Sequence, residues 1–218
     1  MNKTVELITQ WVDFEGKHPG GTLEEFCRYY LASKREFKTD GKLFGGEIPP
    51  RKDIVLMKLI DRIARLHMVY VLVALKDLKI NHFEEFSLLS AIRNLKNPRK
   101  TEVIYHTINE ISTGLNLLGE LKKRGYITES DDPEDKRSKR LALTPKGEKV
   151  LQSCYEKFSI VPEMMCSDMS SDDIELSIRL LKNIEIKFSK LYLHHKDKSI
   201  DEVLQDITRM ERQEDKRP

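Results

Sequence analysis

Along most of the chain, apolar residues recur every three or four positions, the signature of helices with one buried face. Residues 3 to 13 place Val5, Leu7, Ile8, Trp11 and Val12 at such spacings. The run Gly-Lys-His-Pro-Gly-Gly at 16–21 breaks the pattern, and Thr22-Leu-Glu-Glu25 has the form of a capping box opening a helix to about Lys34. Gly41, Gly45, Gly46, Pro49 and Pro50 make 38–50 a linker. From Asp53 to about Leu78 the apolar positions crowd most of the circumference, so this long helix is expected to be buried against more than one neighbour. Asn81-His-Phe-Glu84 reads as a second capping box, starting a helix with Phe86, Leu88, Leu89 and Ile92 that Asn97-Pro98 stops. A short helix follows over 99–107. Asn109 is then the expected N-cap of a helix over 110–124, with Ile111, Leu115, Leu118 and Leu121 on one face, Leu117 beside them and Gly125 as the stop.

The period then changes to two. Ile127 to Ser130 and Lys139 to Leu143 read as strands, with Leu141 and Leu143 facing the core, and the connection Asp131 to Ser138 is almost wholly charged. Thr144-Pro145 opens the next helix, with proline at the first turn where its missing N–H costs nothing. Ser170-Ser-Asp-Asp173 starts another, bearing Ile174, Ile178, Leu181, Ile184, Phe188 and Leu191, and Ser199-Ile-Asp-Glu202 starts the last. The order helix, helix, helix, strand, charged loop, strand predicts a mainly α protein: a winged helix-turn-helix with a small β-hairpin wing and a helical arm.

Composition narrows what such a fold does. Of the 218 residues, 34% are charged, yet the formal net charge is only +2, so a polyanion would have to be met by a local patch. Between Arg93 and Arg140, eleven Lys/Arg face eight Asp/Glu, and Asp131, Asp132 and Glu134 argue against a non-specific DNA coater. With no apolar run long enough for a membrane span and no apolar leader after Met1, a cytoplasmic protein is expected. Cys27, Cys154 and Cys166 lie far apart and read as buried, reduced thiols. Phosphate-binding and hydrolase motifs are missing, so the expectation is a non-enzyme without cofactor. Adjacent helical residues such as His194 and His195 point about 100° apart. With no further ligand at sequence spacing, they read as a solvated helix end and not as a metal site.

Two stretches carry a family resemblance. Asp135-Lys-Arg137 followed by Leu141-Ala-Leu-Thr-Pro-Lys-Gly147 resembles the wing of MarR-family transcriptional regulators, and Leu121-Lys-Lys-Arg-Gly-Tyr-Ile127 resembles that family's exit from the recognition helix. The likeness covers roughly 53–195, giving an N-terminal helical extension and linker (1–50), a MarR-like domain with dimerisation helices (51–195) and a helical tail (196–218). It departs from the family at the turn His106-Thr-Ile-Asn109, where small residues are usual.

The resemblance implies a homodimer interlocked through about 53–78, 145–165 and 171–195, double-stranded DNA as partner, and repression as the output. Ser112, Thr113 and Asn116 would then meet base edges. Arg137 would enter the minor groove, with Asp135 orienting its guanidinium. Lys136, Lys139, Arg140, Arg99 and Lys100 would neighbour phosphates. A small aromatic or anionic effector would lie in a crevice lined by Met57, Ile60, Ala64, Met68, Phe86 and Leu89, with His67 as polar anchor. The alternative is a winged-helix protein–protein interaction module docking through its N-terminal extension.

Overall fold

The computed structural model describes residues 2–34, 41–135 and 137–214. They fall into two compact units, 1–57 and 58–218, divided within a helix and not at the Pro49-Pro50 break. In the first unit, α1 (Lys3–Lys17) is capped by the Asn2 side chain, and α2 (Leu23–Lys34) opens with the expected box: Thr22 N–H donates to Glu25 Oε2 at 2.7 Å, and Glu25 N–H donates to Thr22 Oγ1 at 3.2 Å. Phe14 and Phe26 are buried between the helices, their rings 5.6 Å apart, with Trp11 edge-on to Phe26 at 5.0 Å. The linker lies in part outside the described residues; its remainder holds a single 3-10 turn, Leu43–Gly46.

Helix α3 (Lys52–Leu75) runs on into the second unit, ending three residues before the sequence pattern suggests. There follow α4 (Phe83–Leu95), α5 (Lys100–His106), α6 (Ile111–Lys123), the antiparallel hairpin β1 (Ile127–Asp131) and β2 (Lys139–Leu143), α7 (Pro145–Phe158), α8 (Ile160–Met165), α9 (Ser171–His195) and α10 (Ile200–Glu214). Leu88, Leu89, Ile92, Val103, Ile104, Leu118, Leu121, Ile127, Leu141 and Leu151 form one core, drawn from α4, α5, α6, the hairpin and α7.

α4 begins at His82 as N-cap, without the side-chain bond that the Asn81–Glu84 reading expects. Glu85 does that work: its carboxylate is buried, accepts the Asn81 N–H at 3.0 Å and holds Arg124 Nη1 at 2.8 and 2.9 Å. The buried charge is tolerable because both oxygens are paired. The exit from α6 is thereby tied to the start of α4.

The Leu-Thr-Pro-Lys-Gly segment has an equally definite local cause. Thr144 Oγ1 accepts the Gly147 N–H at 3.0 Å and donates to the Gly125 carbonyl at 2.7 Å. A Cβ on Gly147 would lie 2.0 Å from the Tyr126 carbonyl oxygen, so glycine is the residue that lets α7 start against the backbone entering β1.

Among the longer helices, α3 and α9 carry apolar residues on the outside. α3 exposes Ile63, Leu66, Val69, Leu72 and Val73, and α9 exposes Ile178, Leu180, Ile184, Ile186 and Phe188. Of the cysteines, Cys154 alone fits the buried reading: its thiol is pushed up to about 11 by burial, whereas Cys27 is exposed and Cys166 half-buried.

Candidate nucleic-acid interface

α6 is packed by the side that carries Gly114, Leu118 and Leu121. The interior glycine is a packing requirement, since a Cβ there would lie 2.6 Å from Ile104 Cγ1 of α5. This corrects the expected apolar face. Leu115 is 43% exposed and Ile111 37% exposed, because Gly114 takes the inward position between them. The N-cap is Glu110, one residue beyond the expected Asn109, whose amide donates to Thr107 Oγ1 at 2.8 Å instead. Ser112, Thr113 and Asn116 are all exposed, and Ser112, Asn116, Gly119 and Lys123 follow one another along the outward line at helical spacing. The turn before α6 places Ile108 at φ 54°, a left-handed conformation that β-branched residues avoid.

The wing is organised by three acids. Asp135 accepts the Arg137 backbone N–H at 3.0 Å and the Ser138 hydroxyl at 2.8 Å. It therefore shapes the turn that carries Arg137, in place of the expected grip on the guanidinium; Arg137 itself is exposed. Asp132 is buried at the wing's base. It accepts Arg99 Nε at 2.6 Å and the Glu134 N–H at 2.9 Å, and lies 2.8 Å from Arg140 Nε. Arg99 beside it, then that N–H and Arg140, hold its carboxyl well below the usual carboxylate range, against burial. Glu129 lies 2.7 Å from both Lys100 and Lys122. Burial opposes its ionisation, and the two lysines outweigh that and lower its pKa.

These pairs re-sort the expected phosphate contacts. Arg99 and Lys100 brace the hairpin against α5, Lys122 ties it to α6 and Arg140 closes its base, and the links to α5 and α6 are invisible in the sequence because the partners are distant along the chain. Lys139 pairs with Asp131 yet stays 43% exposed, at the wing's outer side. Lys136 lies outside the described residues.

Of the seven crevice residues, Met68 and Phe86 pack against the core that holds Leu89, and Phe83 contacts both His67 and Phe86. Leu89 is fully buried core, Ala64 is exposed, and Met57 is 55% exposed and belongs to the first unit. His67 is half-buried and stands edge-on to Phe83, with ring centres 6.4 Å apart. Ile60 and Met68 are half-buried. Phe86 opens into a different cavity of about 300 Å³, shared with Ser87, Ser90 and Asn94 of α4 and with His106, Thr107 and Ile108 of the α5–α6 turn.

Residues 84–147 match a family model described as a winged helix DNA-binding domain. The match spans the residues from α4 to the start of α7 and includes the hairpin. The chain holds a winged-helix domain, and its fold is similar to that of MarR-type regulators. It is 33% identical over 82 residues to the HTH-type transcriptional regulator Hpr of Bacillus mycoides, and 31% identical over 83 residues to that of Bacillus cytotoxicus. In each case the match covers 38% of this chain and 43% of the relative. Among solved structures, apo MarR from E. coli superposes with a TM-score of 0.54 at 21% identity, covering 64% of this chain and 98% of that one. A mutant MarR from E. coli complexed with operator DNA gives a TM-score of 0.56 at 20% identity, covering 61% and 95%. BpsR of Bordetella bronchiseptica, described as regulated by 6-hydroxynicotinic acid, gives 0.54 at 20%, covering 60% and 98%. At these identities the structural likeness speaks for the MarR-type fold.

Proposed function

We propose that this chain is a cytoplasmic, homodimeric, sequence-specific DNA-binding transcriptional regulator acting as a repressor. One observation carries the reading. The outward line of α6, with Ser112, Asn116 and Lys123 and flanked by Thr113, is exposed beside a braced hairpin that presents Arg137 in its turn and Lys139 at the start of β2. A helix of this kind fits the major groove while a wing reaches the neighbouring minor groove. Two-fold symmetry would make the operator a pseudo-palindrome with half-sites about one helical turn apart. The names of the Bacillus relatives and the operator complex of the E. coli protein support the DNA partner.

The test is fluorescence anisotropy with DNA flanking the chain's own gene, at two salt concentrations. Affinity is expected to fall steeply with salt. Arg137→Ala is expected to weaken binding at least about tenfold with the circular dichroism unchanged, and Asn116→Ala to narrow the gap between operator and random DNA. Equal affinity for operator and random DNA, or an unaltered Arg137→Ala, would sink the proposal. A small aromatic or anionic effector belongs to the same reading. The cavity beside the α5–α6 turn would let an occupant bear directly on the angle of α6, and it must favour the DNA-incompetent arrangement to act.

A further inference from the structure

Two histidines close α9, and α10 brings a third group to them. The helix opens with a capping box in which Ser199 N–H donates to Glu202 Oε2 at 2.8 Å. Two turns later it sets Asp206 Oδ2 3.2 Å from His194 Nε2 and 3.7 Å from His195 Nε2. The two rings, on adjacent helical positions, have centres 5.4 Å from each other and lie beside one carboxylate.

Three features make this a built site. His195 is nine-tenths buried, its side chain 10% exposed, and its Nε2 has no hydrogen-bond partner. The 3.7 Å to Asp206 is too long for such a bond, and a buried orphan nitrogen carries a desolvation penalty that a ligand would remove. The spacing also fits: a tetrahedral ion with bonds of about 2.0–2.1 Å holds its ligand atoms roughly 3.3–3.4 Å apart, between the two distances found here. Finally, a cation already occupies the position. Lys198 Nζ lies 2.5 Å from Asp206 Oδ2 and 2.6 Å from His194 Nε2. An ammonium has only donors, so the Lys198 contact is a hydrogen bond when the His194 nitrogen presents its lone pair, the state in which imidazole ligates a metal.

We propose that His194, His195 and Asp206 bind one divalent transition-metal ion, Zn²⁺ being the representative, in competition with the Lys198 ammonium. Two imidazoles and a carboxylate suit Zn²⁺ and its neighbours, whereas Mg²⁺ and Ca²⁺ prefer all-oxygen sites. Water completes the coordination on the His194 side, where the side chain is 58% exposed. The ion satisfies the orphan nitrogen, balances Asp206 and staples α10 to the end of α9.

The test is isothermal titration of Zn²⁺ and Co²⁺ into the full chain after chelator treatment, with the visible spectrum of the Co²⁺ form recorded alongside. One ion per chain is expected, with ligand-field bands but no thiolate charge-transfer band, and no uptake of Mg²⁺. His194→Ala, at a largely exposed position that folding tolerates, and Asp206→Asn are each expected to weaken Zn²⁺ binding at least about tenfold. Lys198→Met is expected to tighten it. Circular dichroism checks that each variant is folded. No binding by the wild type, a thiolate band, unchanged affinity in His194→Ala and Asp206→Asn, or weaker binding by Lys198→Met would each overturn the proposal.

Discussion

Ile108 shows how a single residue can be held against its own preference. Its left-handed φ of 54° and 58% exposure mean that it is strained without being buried in return. A left-handed conformation costs a non-glycine residue roughly 1–2 kcal/mol, part of which glycine gives back through its freer unfolded chain. Ile108→Gly is therefore expected to stabilise the chain by about 0.5–1 kcal/mol in urea unfolding, and a loss of stability would show the turn to be relaxed.

Asp132 is the opposite case, a residue whose partners favour its charged form. Its folded pKa lies below the unfolded value of about 3.9. The folded state thus binds that proton less readily, and the contribution of Asp132 is full above about pH 4 and withdrawn as pH falls from there towards the depressed value. Thermal melts between pH 7 and pH 2 are expected to lose stability less steeply in Asp132→Asn than in the wild type, and parallel curves would contradict the ion-pair assignment.

Elements here are positioned by close approaches and ion pairs more than by propensity. α5 and α6 meet where Ile104 fills the space a side chain on Gly114 would need. Gly114→Ala gains about 1 kcal/mol of helix propensity, but overpacking typically costs about 1–3 kcal/mol, so a net loss is expected. In an Ile104→Ala background the obstruction is a shorter side chain, and Gly114→Ala is expected to become neutral or stabilising. A double-mutant cycle with no coupling would refute this contact. At Gly147 the obstruction is the Tyr126 carbonyl, so no side-chain substitution offers the same relief. The wing follows the same rule: Asp132 and Glu129 lock it to α5 and α6, so the bases beside it serve rigidity.

For the whole molecule, the unexplained feature is apolar surface. A solitary chain would leave Leu180, Ile184 and Phe188 of α9 at 63%, 42% and 48% exposure. Surfaces of that size mark protein contacts, and self-association is the expected answer. Light scattering is expected to give a dimer throughout the micromolar range. Ile184→Glu with Phe188→Glu is expected to shift the mass towards a monomer and reduce operator binding, because both half-sites must be engaged together. A wild-type chain that is folded and monomeric at those concentrations would remove the two-fold model.

What the sequence determined by itself was everything encoded by local periodicity and caps. The helix–helix–helix–hairpin order, the Thr22–Glu25 box, the Thr144-Pro145 start and the Ser170 and Ser199 starts could be read because each depends on residues a few positions apart. Even the wing was legible, since the change of period and the cluster of charge sit in one stretch. What only the tertiary structure decided was pairing across distance. Arg99 and Arg140 meet Asp132, Lys100 and Lys122 meet Glu129, Arg124 meets Glu85, and Asp206 meets the paired histidines. In the sequence each of these is an ordinary surface charge or a helix-end histidine. A side chain's role as groove contact, brace or metal ligand depends on which opposite group the fold brings within about 3 Å, and no local pattern records that distance.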